Sequence, residues 1–154
     1  MNTPKKAIFT GLILLPLLLS GLAAGPVNAQ ELSWQPFEEA LSVADSSGKP
    51  VFVDVWAPWC GWCHKLKNEV YPELSAELGE RFVLTRLNRD DHETEYQYRG
   101  RKLSSFRLCR QLNTQAVPAI VILSSEGRYL FHLSGYLTAE QLRTVLNRMP
   151  EIRS

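Results

Sequence analysis

The stretch VFVDVWAPWCGWCHKL, residues 51–66, runs from an apolar segment into a close pair of cysteines, and its reading decides the fold. From Val51 to Ala57 nearly every position is β-branched, aromatic or small and apolar, the pattern of a strand covered on both faces. From Cys60 onward the periodicity turns helical, with Leu66, Val70, Leu74 and Leu78 falling on one side. Cys60, Gly61, Trp62, Cys63 and His64 spell C-x-x-C-H. That motif serves covalent haem attachment, a redox dithiol, or a structural disulfide or half of a zinc site. The motif alone does not choose among them.

Residues 1–29 open with Lys5 and Lys6, continue through an apolar run from Ala7 to Leu19 and end in small residues, with Val27 and Ala29 at small-x-small spacing. They read as a secretory signal peptide, the alternative being a retained membrane anchor. Cleavage after Ala29 leaves residues 30–154, enough for one domain with its own core and too few for two. Without Lys5 and Lys6 the chain carries 15 basic and 16 acidic side chains, a balance that gives no preference for nucleic acid or a membrane surface. No cysteine lies near the cleavage point, which argues against a lipoprotein. Outside the cytosol thiols oxidise readily, and three cysteines allow one bridge within the chain. The close pair, Cys60 and Cys63, is the evident one, leaving Cys109 over.

Along the rest of the chain, Phe37, Ala40, Leu41 and Ala44 share a helical face, with Pro36 suited to a first turn and Gly48 to a stop. The helix that begins at the cysteines is expected to run to about Leu78, kinked by Pro72 and ended by Gly79. FVLTRLN (82–88) reads as a strand, NRDDHETEYQYRGRK (88–102) as an irregular polar loop, and SSFRLCRQL as a short helix with a serine cap. VPAIVIL and the apolar run after Ser124–Gly127 make an antiparallel hairpin, and Thr138 with Gln141 is a capping box for a last helix. Strands alternating with helices before a closing hairpin and helix give an α/β domain, a mixed central β-sheet with helices on both faces.

Taken together, VDVWAPWCGWC, LTRLNRD, VPAIVIL and SGYLTAEQLRTVL, in this order, resemble the thioredoxin family over about Ser33 to Met149. The lead-in KPVFVDVWAPWCGWCHKLKNEVYPEL looks most like exported bacterial thioredoxins with a W-C-x-W-C-H/K site. The resemblance implies the thioredoxin fold and a dithiol-disulfide cycle with no cofactor. It also implies that Asp54 assists deprotonation of the second thiol, that Arg86 is the basic neighbour of that acid, and that Val117-Pro118 is a cis turn offering backbone groups to substrate and keeping metals off the thiols. The pattern departs at Asn68, where the family commonly has its helix-kinking proline, and at Ala119, where a threonine usually follows the cis-proline.

The residues support this chemistry on physical grounds. A sulfur at the start of a helix meets free N–H groups and the positive end of the dipole, which favours thiolate, so Cys60 is the expected nucleophile. Cys63, one turn further in, is the expected resolving thiol. Asp54, a carboxylate within an apolar strand, is costly unless it titrates or finds a partner. Read as an unpaired buried charge, its removal is not expected to lower stability. Trp59 and Trp62 suit an apolar rim for a peptide, with Gly61, Val117 and Pro118 completing the substrate surface, and Trp56 either joins them or packs in the core. His64 is read as a partly exposed residue whose charge supports the Cys60 thiolate.

A haem would require a sixth ligand from Met149, His92 or His132, none in a supportive setting. Zinc on Cys60, Cys63, His64 and Cys109 is disfavoured because adjacent helical residues point apart. Cys109, on a face with Phe106 and Leu112, is read as a core thiol. The expectation is therefore an exported, periplasmic, monomeric thiol-disulfide oxidoreductase. It would reduce protein disulfides with electrons from a membrane thiol donor, and bind no metal. The rival is a thioredoxin-fold binding protein or a cytochrome-like carrier that performs no dithiol exchange.

Overall fold

Val51–Trp56 (β2) forms the middle of the sheet because both of its faces are apolar. Val51, Val53 and Val55 enter one core cluster and Phe52 the other, as the two-residue period of a strand requires. In this computed structural model, which describes residues 31–149, β2 pairs in parallel with Val83–Asn88 (β3) and antiparallel with Ala119–Leu123 (β6). Trp34–Gln35 (β1) lies parallel at the outer edge of β3, and Tyr129–Ser134 (β7) lies antiparallel at the outer edge of β6. The five-stranded sheet thus has the order β1-β3-β2-β6-β7. The signal-peptide reading of residues 1–29 lies outside the described residues. Among those described, no helix is long and apolar enough to cross a membrane.

Helices cover both faces, in agreement with the reading of the sequence. Phe37–Ser47 (α1) and Ser105–Gln111 (α5) sit on the Val51 and Val53 side, contributing Phe37, Ala40, Ala44, Leu108 and Cys109. The Phe52 side carries the helical stretch after the cysteines and Ala139–Arg148 (α6). Gly48 closes α1 at φ 72° with its N–H on the Ala44 carbonyl, and the Thr138–Gln141 capping box starts α6. Burying each large apolar side chain in these layers contributes roughly 1.5–3 kcal/mol, so both layers are needed to offset chain entropy.

Two expectations need correction. The helix after the cysteines does not end at Gly79. It runs as Gly61–Lys65 (α2), a π-helical turn Leu66–Val70, Tyr71–Glu73 (α3) and, after a break at Leu74, Ser75–Arg81 (α4). Pro72 has no N–H and its ring crowds the carbonyl four residues back; the chain accommodates it by widening the preceding turn, where the Tyr71 N–H reaches the Leu66 carbonyl. The second correction concerns residues 88–102, expected to be irregular. Glu95–Tyr98 (β4) and Arg101–Ser104 (β5) pair as a two-stranded hairpin. Arg99 and Gly100, at φ 50° and 75°, form its two-residue turn, the positive-φ pair that matches strand twist. Tyr98 is buried there and donates to the Gly127 carbonyl at 2.8 Å, which fastens the hairpin to the β6–β7 turn.

Candidate active site

Because β2 and β3 are parallel, their C-terminal ends open on the same edge of the sheet, and the residues that follow each strand meet there. After β2, a turn with the Cys60 N–H on the Ala57 carbonyl at 3.1 Å delivers Cys60 to the N-cap of α2. Its sulfur accepts the Cys63 N–H at 3.1 Å and its carbonyl accepts the His64 N–H at 3.2 Å. Cys60 and Cys63 are joined as a disulfide with Cα atoms 5.2 Å apart. Cys60 is 4% exposed and Cys63 0%, so what little of the pair reaches solvent belongs to the first cysteine. A Cβ at Gly61 would meet nothing within 4 Å, so the glycine relieves no internal crowding and leaves this backbone open to the outside.

Asp54 is wholly buried, and it is not the unpaired charge the sequence suggested. Tyr71 donates to its Oδ1 at 2.8 Å, and Arg86, its register partner on β3, donates from Nε to Oδ2 at 2.7 Å. Burial raises its pKa above the ordinary carboxylate range, against the lowering influence of Arg86 and Tyr71. The Arg86 guanidinium in turn lies over the rings of Trp56, at 4.6 Å, and Trp34, at 5.6 Å. Trp56 is thus a partly buried layer between the ion pair and the site, and it packs against Cys60 and Cys63. Tyr71 escaped notice in the sequence, although it lies eight residues beyond Cys63, on the inward face of the same helical stretch.

The two other tryptophans are the most exposed large apolar side chains of the described residues, Trp59 at 65% and Trp62 at 57%, and they flank the disulfide. Trp59 donates from Nε1 to Asp90 at 2.7 Å, and Asp90 accepts on its other oxygen from Arg89 Nε at 2.7 Å. These bonds hold the Asp90 carboxyl below its usual range. Trp62 lies 4.9 Å from Tyr136, with Lys65 Nζ over both rings. Asp90, Arg89, Tyr136 and Lys65 were not picked out from the sequence. Asp90 and Arg89 were recoverable, since residues just past β3 must meet residues just past its parallel neighbour.

The Val117–Pro118 peptide is cis; Val117 packs against the cysteine pair, and the Pro118 carbonyl accepts the Gly135 N–H at 2.9 Å. His64 is exposed, with Nε2 hydrogen-bonded to the Pro58 carbonyl at 2.8 Å and its ring in a T-shaped arrangement with Trp56, centroids 6.4 Å apart. That bond ties it to the loop ahead of Cys60. Cys109 belongs to the α1–α5 side of the sheet, so the four-ligand zinc set weighed in the sequence is not brought together. Burial pushes its thiol pKa up to about 12.

A disulfide seated at a helix N-terminus, on the strand-end edge of a mixed sheet, defines a protein built for thiol-disulfide chemistry. The family described as "Thioredoxin-like domain" matches residues 37–150, and the chain belongs to it. Thioredoxin from Haemophilus influenzae is 26% identical over 107 residues, 70% of this chain and 86% of that protein. Thioredoxin from Bacillus subtilis is 26% identical over 106 residues, 68% and 86% of the two chains. Among solved structures, a thioredoxin from Thermus thermophilus superposes with a TM-score of 0.60 at 24% identity, covering 76% of this chain and 85% of that one. One described as DsbH oxidoreductase gives 0.61 at 20% identity, covering 90% and 93%. The last two show the fold. The family and the two thioredoxin relatives make this chain a thioredoxin-like oxidoreductase carrying a redox-type cysteine pair.

Proposed function

We propose that the protein is an exported reductase of protein disulfides. The observation that carries this reading is the asymmetry of the pair: Cys60 caps the helix and is the cysteine with any exposure, while Cys63 is enclosed. In the reduced state the Cys60 thiolate attacks a substrate disulfide, forming a mixed disulfide and expelling one substrate thiolate. Cys63, deprotonated with the aid of Asp54, attacks Cys60; the second substrate thiolate leaves and the Cys60–Cys63 disulfide is restored. Two electrons and two protons from a dithiol donor, proposed to be a membrane thiol carrier, return the pair to its reduced form.

Trp59, Gly61, Trp62, Val117 and the cis Pro118 are proposed as the substrate surface, and the openness of Gly61 and the exposure of both tryptophans support that role. Reduction is favoured over oxidation because His64 is directed at Pro58, leaving the helix terminus as the main stabiliser of the Cys60 thiolate. Export rests on the leader-like character of residues 1–29, and the monomeric state on the size of the single domain. Both sulfurs are spent on each other, which disfavours the haem reading.

The test is reduction of a model protein disulfide by the purified mature chain supplied with dithiol. Wild type turns over, Cys60→Ser is inactive, and Cys63→Ser accumulates mixed disulfides visible on non-reducing gels. Equal turnover by wild type and Cys60→Ser refutes the reading.

A further inference from the structure

Next to Trp59, through Arg89, lies a pocket of about 210 Å³ that the redox reaction leaves unused. Arg89, Phe106, Arg110, Thr114 and Gln115 line it. Arg89 ties it to the site: its backbone N–H donates to the Trp56 carbonyl at 2.8 Å, and its guanidinium lies 5.5 Å from the Trp59 ring centroid. Its Nη1 donates to the Gln115 carbonyl at 2.8 Å, two residues before the Val117–Pro118 bond. Phe106 forms an aromatic floor, stacked on His92 at 4.3 Å and approached by the Arg110 guanidinium at 5.9 Å.

The charge of this pocket is available to a ligand. Asp90 spends its oxygens on Arg89 Nε and Trp59, and Asp91 accepts the N–H groups of Glu93 and Thr94 on one of its own. Among the described residues, neither Arg110 nor Arg107, one turn earlier on α5, belongs to any ion pair. A guanidinium beside an apolar floor suits a short side chain with a methylene stem and a terminal carboxylate, which it binds with two parallel hydrogen bonds.

Resting on the reductase reading, we infer that this pocket is a specificity subsite for an acidic side chain of the substrate polypeptide, close to its reactive cysteine. Arg110 supplies the recognising charge, Phe106 supports the stem, and Arg89 fixes the pocket's position relative to Trp59 and the disulfide. The ligand is a Glu or Asp side chain because the reaction's substrate is a polypeptide, whose side-chain anions are these two.

The test uses two synthetic disulfide peptides identical except that the residues flanking one cysteine are glutamate in the first and serine in the second, reduced by the mature protein with dithiothreitol as donor. Wild type should show a KM roughly three- to tenfold lower for the glutamate peptide with similar kcat, and the ratio should shrink as salt rises. Arg110→Glu should abolish or invert the ratio, and Arg110→Lys should restore part of it. Arg110 is exposed on α5, so neither change threatens folding. Equal KM values in wild type, or a ratio unaltered by Arg110→Glu, overturn the inference alone. Reduction of neither peptide overturns the reductase reading and the inference with it.

Discussion

Asp54 shows how one buried carboxylate is held by partners that differ in what they lose when it goes. Asp54→Ala leaves the fully buried Tyr71 hydroxyl without its acceptor and Arg86 without its counter-charge. It should destabilise the domain by about 2–3 kcal/mol, seen as a Tm lowered by roughly 10 °C. Asp54→Asn keeps an acceptor in place and should cost less. The pH dependence has a definite sign. Burial raises the folded-state pKa of Asp54 above its unfolded value near 3.8, so the stability it contributes is full below 3.8 and lost as pH rises through the folded value. Wild type should therefore gain on Asp54→Asn as pH falls from neutral toward 4, measured by thermal melts across buffers. A constant difference between the two would mean that Asp54 does not titrate in this range. For the reaction, a carboxylate whose pKa lies closer to neutral is the better base. Asp54→Asn should accordingly slow release of reduced substrate more than the first attack, in stopped-flow tryptophan fluorescence.

At the scale of elements, the strands with the strongest character were the easiest to read. VFVDVW and AIVIL are buried on both faces, and continuous apolar runs state that plainly. The hairpin at 95–104 was hidden because its outer positions are charged or polar: Glu95, Gln97, Arg101 and Lys102 swamp the alternation of Tyr96, Tyr98 and Leu103. Its turn, Arg99-Gly100, is also not one of the asparagine- or aspartate-led pairs that mark such turns in sequence. Gly100 sits at φ 75°, where a β-branched side chain is strained. Gly100→Val should cost about 1–3 kcal/mol, whereas Gly100→Asn should be nearly neutral, compared by urea unfolding. Likewise β1, two residues long, has no period to detect, and the widened turn ahead of Pro72 is a response to packing that no local propensity encodes.

Over the whole molecule, the candidate site was legible where it is continuous in sequence and obscure where it is assembled across the sheet. Cys60, Cys63 and the tryptophans stand together in one stretch; Asp90 and Tyr136 come from two other segments and join them only through topology. The same topology sorts the three thiols. Cys60 and Cys63 lie at the strand-end edge of the sheet, while Cys109 is enclosed by the α1 and α5 side, its pKa pushed up to about 12 by burial. With the disulfide intact, native protein treated with iodoacetamide at pH 8 should take up no label by mass spectrometry, and one label per chain once unfolded in guanidinium. Label on Cys109 in the native state would show that α5 opens readily. The partition reaches beyond reactivity toward alkylating agents. A protein whose work is trading sulfur bonds is exposed to capture by its own spare thiol, and here the burial of Cys109 in a separate core cluster serves as the firewall. Once the strands have paired, a mixed disulfide on Cys60 has one internal thiol within reach, so the outcome of each encounter is set by architecture rather than by competition between rates.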